Sequence, residues 1–155
     1  MRHVLNQPIT LPKLLLGEGV AEASAFASLQ SSLRAVQLPV PTHVGVPVTG
    51  QYQGRDLQMS VFLLPGGGAP GMLEGLCYDS TMSDPARPCV DEFLMCVGTR
   101  AGRSHAANML PKARIRAWLS TLKEPDLLLG QAAQSGYLDF AQPAFAPLRA
   151  FIQSL

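Results

Sequence analysis

Leu14-Leu15-Leu16-Gly17-Glu18-Gly19 decides how the rest of this chain is read. An apolar run ends in one carboxylate held between two glycines, and a helical pattern begins at once. In α/β proteins the loops beyond the carboxyl ends of strands are where ligands and catalytic groups gather. This junction offers a single acid at its tip. It points to an α/β fold with catalytic relatives and assigns no catalytic residue to this chain.

Upstream of the junction, residues 1–8 have no periodicity and read as a flexible arm. Ile9 to Leu16 reads as a buried strand, and Pro12, with no N–H for a second ladder, argues for either an edge position or a later start. Downstream, Phe26, Leu29, Leu33 and Val36 recur at three or four residues, so Ala21 to Val36 is predicted as a helix. Leu38-Pro39-Val40-Pro41 ends it.

Val44 to Val48 is a short strand candidate, followed by a polar turn at residues 51–56. Leu57 to Leu64 is the clearest strand: Leu57, Met59, Val61 and Leu63 alternate, while Phe62 and Leu64 predict that the far face is covered too. Pro65 to Pro70 then forms a glycine-rich loop.

From Gly71 onward the pattern is helical. Met72, Leu73, Leu76 and Cys77 mark one helix. Val90, Phe93, Leu94 and Val97 mark the apolar side of another. Gly98 to Asn108 reads as a loop. Ile115, Trp118, Leu119 and Leu122 give the clearest amphipathic stripe, with Trp118 in the core. Leu127 to Ala133 forms a helix closed by Gly136, and Phe145 to Leu155 a last one. The expected architecture is a single α/β domain over residues 9–155. It has a short, mostly parallel sheet flanked by helices and a helix-rich C-terminal half.

Composition narrows the function. The chain has 155 residues, 47% hydrophobic and 15% charged, with net charge +1. An average domain carries roughly 25% charged residues. A surface this poor in charge points to a covered face, and a homodimer is the simplest cover. The balanced charge does not favour nucleic acid or an anionic membrane. No apolar run of about 18 residues exists to span a bilayer, and no signal peptide is visible, so a cytoplasmic location is expected. Cys77, Cys89 and Cys96 match no zinc or redox spacing. Cys89 and Cys96, seven apart, share a helix face and are expected to be buried thiols, a reactive thiol being the alternative.

The order of several motifs in the C-terminal half carries a resemblance. Pro70-Gly71-Met72-Leu73-Glu74 follows a strand and a loop; Lys112-Ala113-Arg114-Ile115-Arg116-Ala117-Trp118-Leu119 comes later. Leu129-Gly130-Gln131-Ala132-Ala133, Gly136-Tyr137, Phe145 and Leu148 follow. Over residues 14–155 the chain resembles a small family of uncharacterised Toprim-like proteins. The resemblance implies a compact sheet flanked by helices, the fold of topoisomerases, primases and some nucleases. Those enzymes hold Mg²⁺ with a glutamate after one strand and an Asp-x-Asp after the next, and the metal stabilises phosphoryl transfer. By the elements that follow it, the Leu14–Gly19 junction corresponds to the second of these motifs. Gly17 and Gly19 then stand where the family carries aspartates, and the strand with the first glutamate would lie upstream of Met1.

Six residues are candidates for ligand binding: Glu18, Gly66, Gly67, Gly68, Glu74 and Lys112. Glu18 is readable as a helix-start carboxylate stabilised by the helix dipole; with Glu22 one turn on, it could instead hold a cation. Gly66-Gly67-Gly68 precedes a helix, where free N–H groups attract anions, but it lacks the ending of a phosphate loop. Glu74 is either a helix-start acid at the core edge or a cleft-facing group, and both readings stay open. Lys112 sits early in a helix, where a cation is unfavourable unless an anion such as a phosphate or Glu74 retains it. His3, His43 and His105 are scattered, with no metal-ligand spacing.

The leading expectation is a non-catalytic, reduced Toprim-like domain that binds a protein partner or itself, with no metal or other cofactor. One alternative is a Mg²⁺-dependent phosphoryl-transfer enzyme built on Glu18, Glu74 and Asp56 or Asp79. Another is a nucleotide or small-ligand module using Gly66–Gly68 and Lys112.

Overall fold

The computed structural model describes residues 9–15, 22–66 and 71–155, with the backbone alone at residues 9–15 and 22. The elements run β1 (Ile9–Leu15), α1 (Glu22–Ala35), β2 (Val48–Tyr52), β3 (Arg55–Leu63), α2 (Leu73–Asp79), α3 (Arg87–Ala101), α4 (Leu110–Leu119), α5 (Leu129–Gln134), a 3₁₀ turn (Pro143–Phe145) and α6 (Ala146–Gln153). The described residues fall into two compact units. One holds the strands, α1 and Leu148–Leu155; the other is Gly71–Pro147.

In the first unit the strand order is β1-β3-β2. β1 runs parallel to β3, from Ile9 opposite Leu57 to Leu15 opposite Leu63. β2 runs antiparallel to β3, from Val48 opposite Met59 to Tyr52 opposite Arg55. The sheet is therefore mixed, which corrects the expectation of a mostly parallel one. The cause is local. Gln53 and Gly54 have φ of 52° and 74°, the doubly left-handed pair that closes a two-residue hairpin with the twist of its strands. The polar turn read at residues 51–56 is thus only its two central residues, and strand pairing continues on both sides.

The strand candidate at Val44–Val48 is also corrected. Only Val48 is in a strand. Gly45 turns the chain with φ of 77°, and its N–H donates to the Val61 carbonyl at 2.7 Å. Pro47, with no N–H, cannot extend the ladder backward. Gly50 matters for a different reason. A Cβ there would lie 2.8 Å from Pro39, so the bare backbone lets the Leu38–Pro41 segment lie on β2.

The alternation in β3 is borne out on both faces. Leu57, Met59, Val61 and Leu63 are buried with Leu29 and Leu33 of α1, and Phe26, Leu38, Val40, Val44 and Val48 pack around them. On the other face Phe62 meets Phe151 of α6, ring centroids 5.0 Å apart. Ser60 lies on that same face, buried, with a hydroxyl that has no hydrogen-bond partner among the described residues. The edge placement of β1 holds among the described strands, as Pro12 requires.

α1 ends where its carbonyls can be satisfied. Gln37 is left-handed, φ 58°. Its N–H donates to the Arg34 carbonyl, and that of Leu38 donates back to Leu33. This is the helix-closing pattern in which the residue after the left-handed position packs on the last turn. Leu38 does so, joining the cluster around Leu33. Val36, expected on the apolar stripe, falls just beyond the helix and is exposed.

The second unit is helical. Leu76, Cys77 and Tyr78 of α2, Val90 of α3, and Ile115, Trp118 and Leu119 of α4 are buried, with Ala132, Leu138 and Phe145. α5 closes as expected: Gly136 takes φ 79°, and Tyr137 donates its N–H to Ala132. α3 runs further than expected. Gly98 lies inside it, and the helix stops at Gly102, φ 62°. The loop is therefore shorter than the one read at Gly98–Asn108.

These packing differences give opposite expected signs. Leu33→Ala opens a cavity in the sheet–helix core and is expected to cost about 2–5 kcal/mol. Gln37→Gly relieves a left-handed side chain and is expected to stabilise by about 0.5–1 kcal/mol. Urea unfolding of the two variants against wild type measures both.

Candidate functional site

The candidate site is built in the helical unit, starting from Asp84. Its Oδ2 accepts the indole N–H of Trp118 at 3.0 Å, and its Oδ1 accepts the Ala86 N–H at 2.8 Å. Its carbonyl accepts the Arg87 N–H. One carboxylate thus holds the turn that leads into α3 and ties it to the buried Trp118 of α4. This satisfies the one polar atom that Trp118 takes into the core.

Tyr78 is the next layer. It is buried, with the Arg87 guanidinium 4.4 Å from its ring centroid and that of Arg114 5.8 Å away. Arg87 also donates to the Tyr78 carbonyl at 2.8 Å and reaches Asp79 at 3.6 Å. Arg114 Nε approaches Asp91 Oδ1 at 3.0 Å. Both atoms are buried and bent away from a straight hydrogen bond. Burial pushes the Tyr78 phenol above its ordinary value. The Asp91 carboxylate pushes it further, by its charge and by a hydrogen bond, while Arg87 and Arg114 oppose the shift.

Beyond the Asp91–Arg114 pair lies an open cleft of about 280 Å³. It is lined by Asp91, Leu94, Met95 and Gly98 of α3, by Arg103, Ser104 and His105 of the connecting loop, and by Leu110 and Arg114 of α4. The loop is tied at both ends. Arg103 donates its N–H to Val97, and Met109 and Leu110 donate theirs to Ala106. None of these lining residues was among the sequence candidates. Arg103-Ser104-His105 is a polar run just past a helix-ending glycine. That was the available signal, and taking the loop to begin at Gly98 obscured it.

The outer side of α3 is the second notable feature. Phe93 and Met95 are 57% and 65% exposed. Cys89 and Cys96 are exposed too, which overturns their expected burial. The α3 stripe that turns inward is Val90, Leu94 and Val97. Cys89, Phe93 and Cys96 sit one residue out of phase with it, about 100° around the helix. Phe93 therefore does not belong to the inner stripe where periodicity placed it.

The sequence candidates are placed as follows. Glu18, Gly67 and Gly68 lie outside the described residues, and so do Gly17, Gly19 and His3. Gly66 follows β3 with φ of 100°. Glu74 occupies the first turn of α2, the favourable end for an acid. It is half-buried, and it adds to burial in raising the Cys77 thiol to about 11. Lys112 is in the first turn of α4, half-buried. α2 and α4 pack together where Gly75 meets Pro111, so Glu74 and Lys112 ride on touching helices. Asp56 is on β3 and bonded to Gln51, and Asp79 is paired with Arg87. Among the described residues no three His, Cys, Asp or Glu side chains gather as a metal site. No described helix is long and apolar enough to cross a membrane.

Fold and site define a small mixed α/β protein with three strands in one sheet among the described residues, and a helical unit over Gly71–Pro147 that carries a cleft and an exposed helix face. The chain belongs to the family of proteins of unknown function DUF3226, whose profile matches residues 15–155. Comparison with curated proteins and with solved structures gave no match.

Three outcomes are expected. At a dilution where the chain is monomeric, a thiol reagent at neutral pH labels Cys89 and Cys96 rapidly and Cys77 only on unfolding, as a count of modified thiols by mass spectrometry shows. Asp84→Ala strands the Trp118 indole N–H and costs about 1–3 kcal/mol, read from chemical denaturation. Stability falls as pH rises above about 9. The native state holds the Cys77 proton up to about 11 while the unfolded chain releases it near 9, and Tyr78 adds the same sign above about 10. A pH series of thermal melts reads the slope, and a flat profile contradicts it.

Proposed function

We propose that this protein is a non-catalytic, reduced Toprim-like domain that works by pairing with a second copy of itself. The observation that carries the pairing is the outer stripe of α3. Cys89, Phe93, Cys96 and Arg100 follow the four-three-four spacing of a helix-packing seam. The Phe93 ring on that seam is exposed, and a ring of that size gains about 1.5–3 kcal/mol when fully covered. The charges on the same face select the partner. Glu92 and Arg100 lie one turn either side of Cys96, all on the exposed side of the helix. Two α3 helices packed antiparallel about Cys96 bring Glu92 of each copy opposite Arg100 of the other. A parallel pair would set like charge against like.

The Toprim-like part rests on the order of the motifs and on one feature of the sheet: β1 and β3, joined through α1 and then β2, end up adjacent and parallel. The three free thiols fit a reducing compartment, in keeping with a cytoplasmic site.

Light scattering coupled to size exclusion tests the reading. Wild type is expected to run as a dimer. Phe93→Asp and Arg100→Glu are expected to weaken the dimer about tenfold or more, and the Glu92→Arg/Arg100→Glu double variant to restore it. A monomer at the highest attainable concentration overturns the proposal, as does a dimer indifferent to all of these changes.

A further inference from the structure

We propose that the cleft between α3 and α4 binds a small organic anion, with its acid group at Arg103 and His105 and its apolar body against Leu94, Met95 and Leu110. Nothing in the family assignment gives this cleft a role, and it is separate from the Cys89–Phe93–Cys96 seam.

The charge of the lining sets the sign of the ligand. Arg103, Arg114 and His105 face a single carboxylate, Asp91. That carboxylate is already engaged by Arg114 at 3.0 Å. The Arg103 guanidinium and the His105 imidazole are therefore the donors left to a ligand, with Ser104 between them in the loop. A guanidinium fork offers paired N–H groups to a carboxylate or phosphate, and such charge-assisted bonds are about twice as strong as neutral ones. The loop that carries these groups is held at both ends by backbone hydrogen bonds, so less ordering is needed on binding.

The apolar wall sets the body of the ligand. Leu94 and Leu110 are half-buried and Met95 is exposed. A few convergent polar groups against an apolar wall is the usual composition of a small-molecule site. The size favours a small ligand. At about 280 Å³, the cleft falls at the lower end of the range for small-molecule sites. That suits a single ring or short chain with one acid group.

Gly98 makes the proposal testable. It lines the cleft, and a Cβ built on it meets nothing within 4 Å. A large side chain there fills the cleft without displacing the core. Phenyl phosphate, inorganic phosphate and benzyl alcohol would be titrated into the full-length protein, followed by amide chemical shifts and by melting temperature.

Phenyl phosphate is expected to shift the amides of residues 94–110 saturably and raise the melting temperature. Inorganic phosphate is expected to bind at least tenfold more weakly and benzyl alcohol not to saturate. Gly98→Phe is expected to abolish phenyl phosphate binding, and Arg103→Gln, on an exposed loop where folding is not at stake, to weaken it about tenfold or more. No saturable shift with phenyl phosphate, shifts centred elsewhere, or equal binding by the Arg103→Gln variant overturns the proposal. Because Phe93 does not line the cleft, the Phe93→Asp protein is expected to bind phenyl phosphate normally, which separates this result from the dimer test.

Discussion

Covering β3 on both faces is the constraint on which the strand-bearing unit depends. One face, Leu57-Met59-Val61-Leu63, needs a helix, and α1 supplies Leu29 and Leu33. The other needs a second cover, and α6 brings Phe151 onto Phe62 from the far end of the chain. The hydrophobic effect rewards area removed from water whatever its position in sequence. The C-terminal helix therefore belongs with the strands although more than 80 residues separate Phe62 from Phe151.

The helical unit is organised differently, around polar groups that must be satisfied once buried. Asp84 gives the Trp118 indole its acceptor and also holds the turn that leads into α3. The two arginines flank the Tyr78 ring while their charges meet Asp79 and Asp91. These ion pairs are partly exposed and each contributes little, about 1 kcal/mol or less. Their effect is positional. By engaging Asp91, Arg114 removes the one carboxylate of the lining that would offset the Arg103 charge in the cleft.

Both proposals use different sides of α3. Its inner stripe holds it in the unit, its flank lines the cleft, and its outer stripe carries exposed Phe93 and two exposed thiols. A helix apolar on more than one side has more than one surface to cover. In a chain with only 15% charged residues, the outer stripe is where the missing charge is most visible.

The sequence by itself determined the elements that depend on local chemistry. The alternation of β3, the edge position of the Pro12 strand, the α1 stripe, the core role of Trp118 and the Gly136 helix stop are all written in spacing and residue type. Periodicity, however, says only that apolar residues recur. It cannot say which of two adjacent stripes faces inward, so Phe93 and the two cysteines were placed on the wrong side. Nor could spacing show that residues 53 and 54 would close a hairpin and make the sheet mixed, since the first turn position holds Gln53 and not the Asn, Asp or Gly that marks such a turn in sequence. Tertiary structure alone decided the cleft. Asp91, Arg103, His105 and Arg114 come from two helices and a loop, and no residue of that set has meaning until packing brings α3 and α4 together.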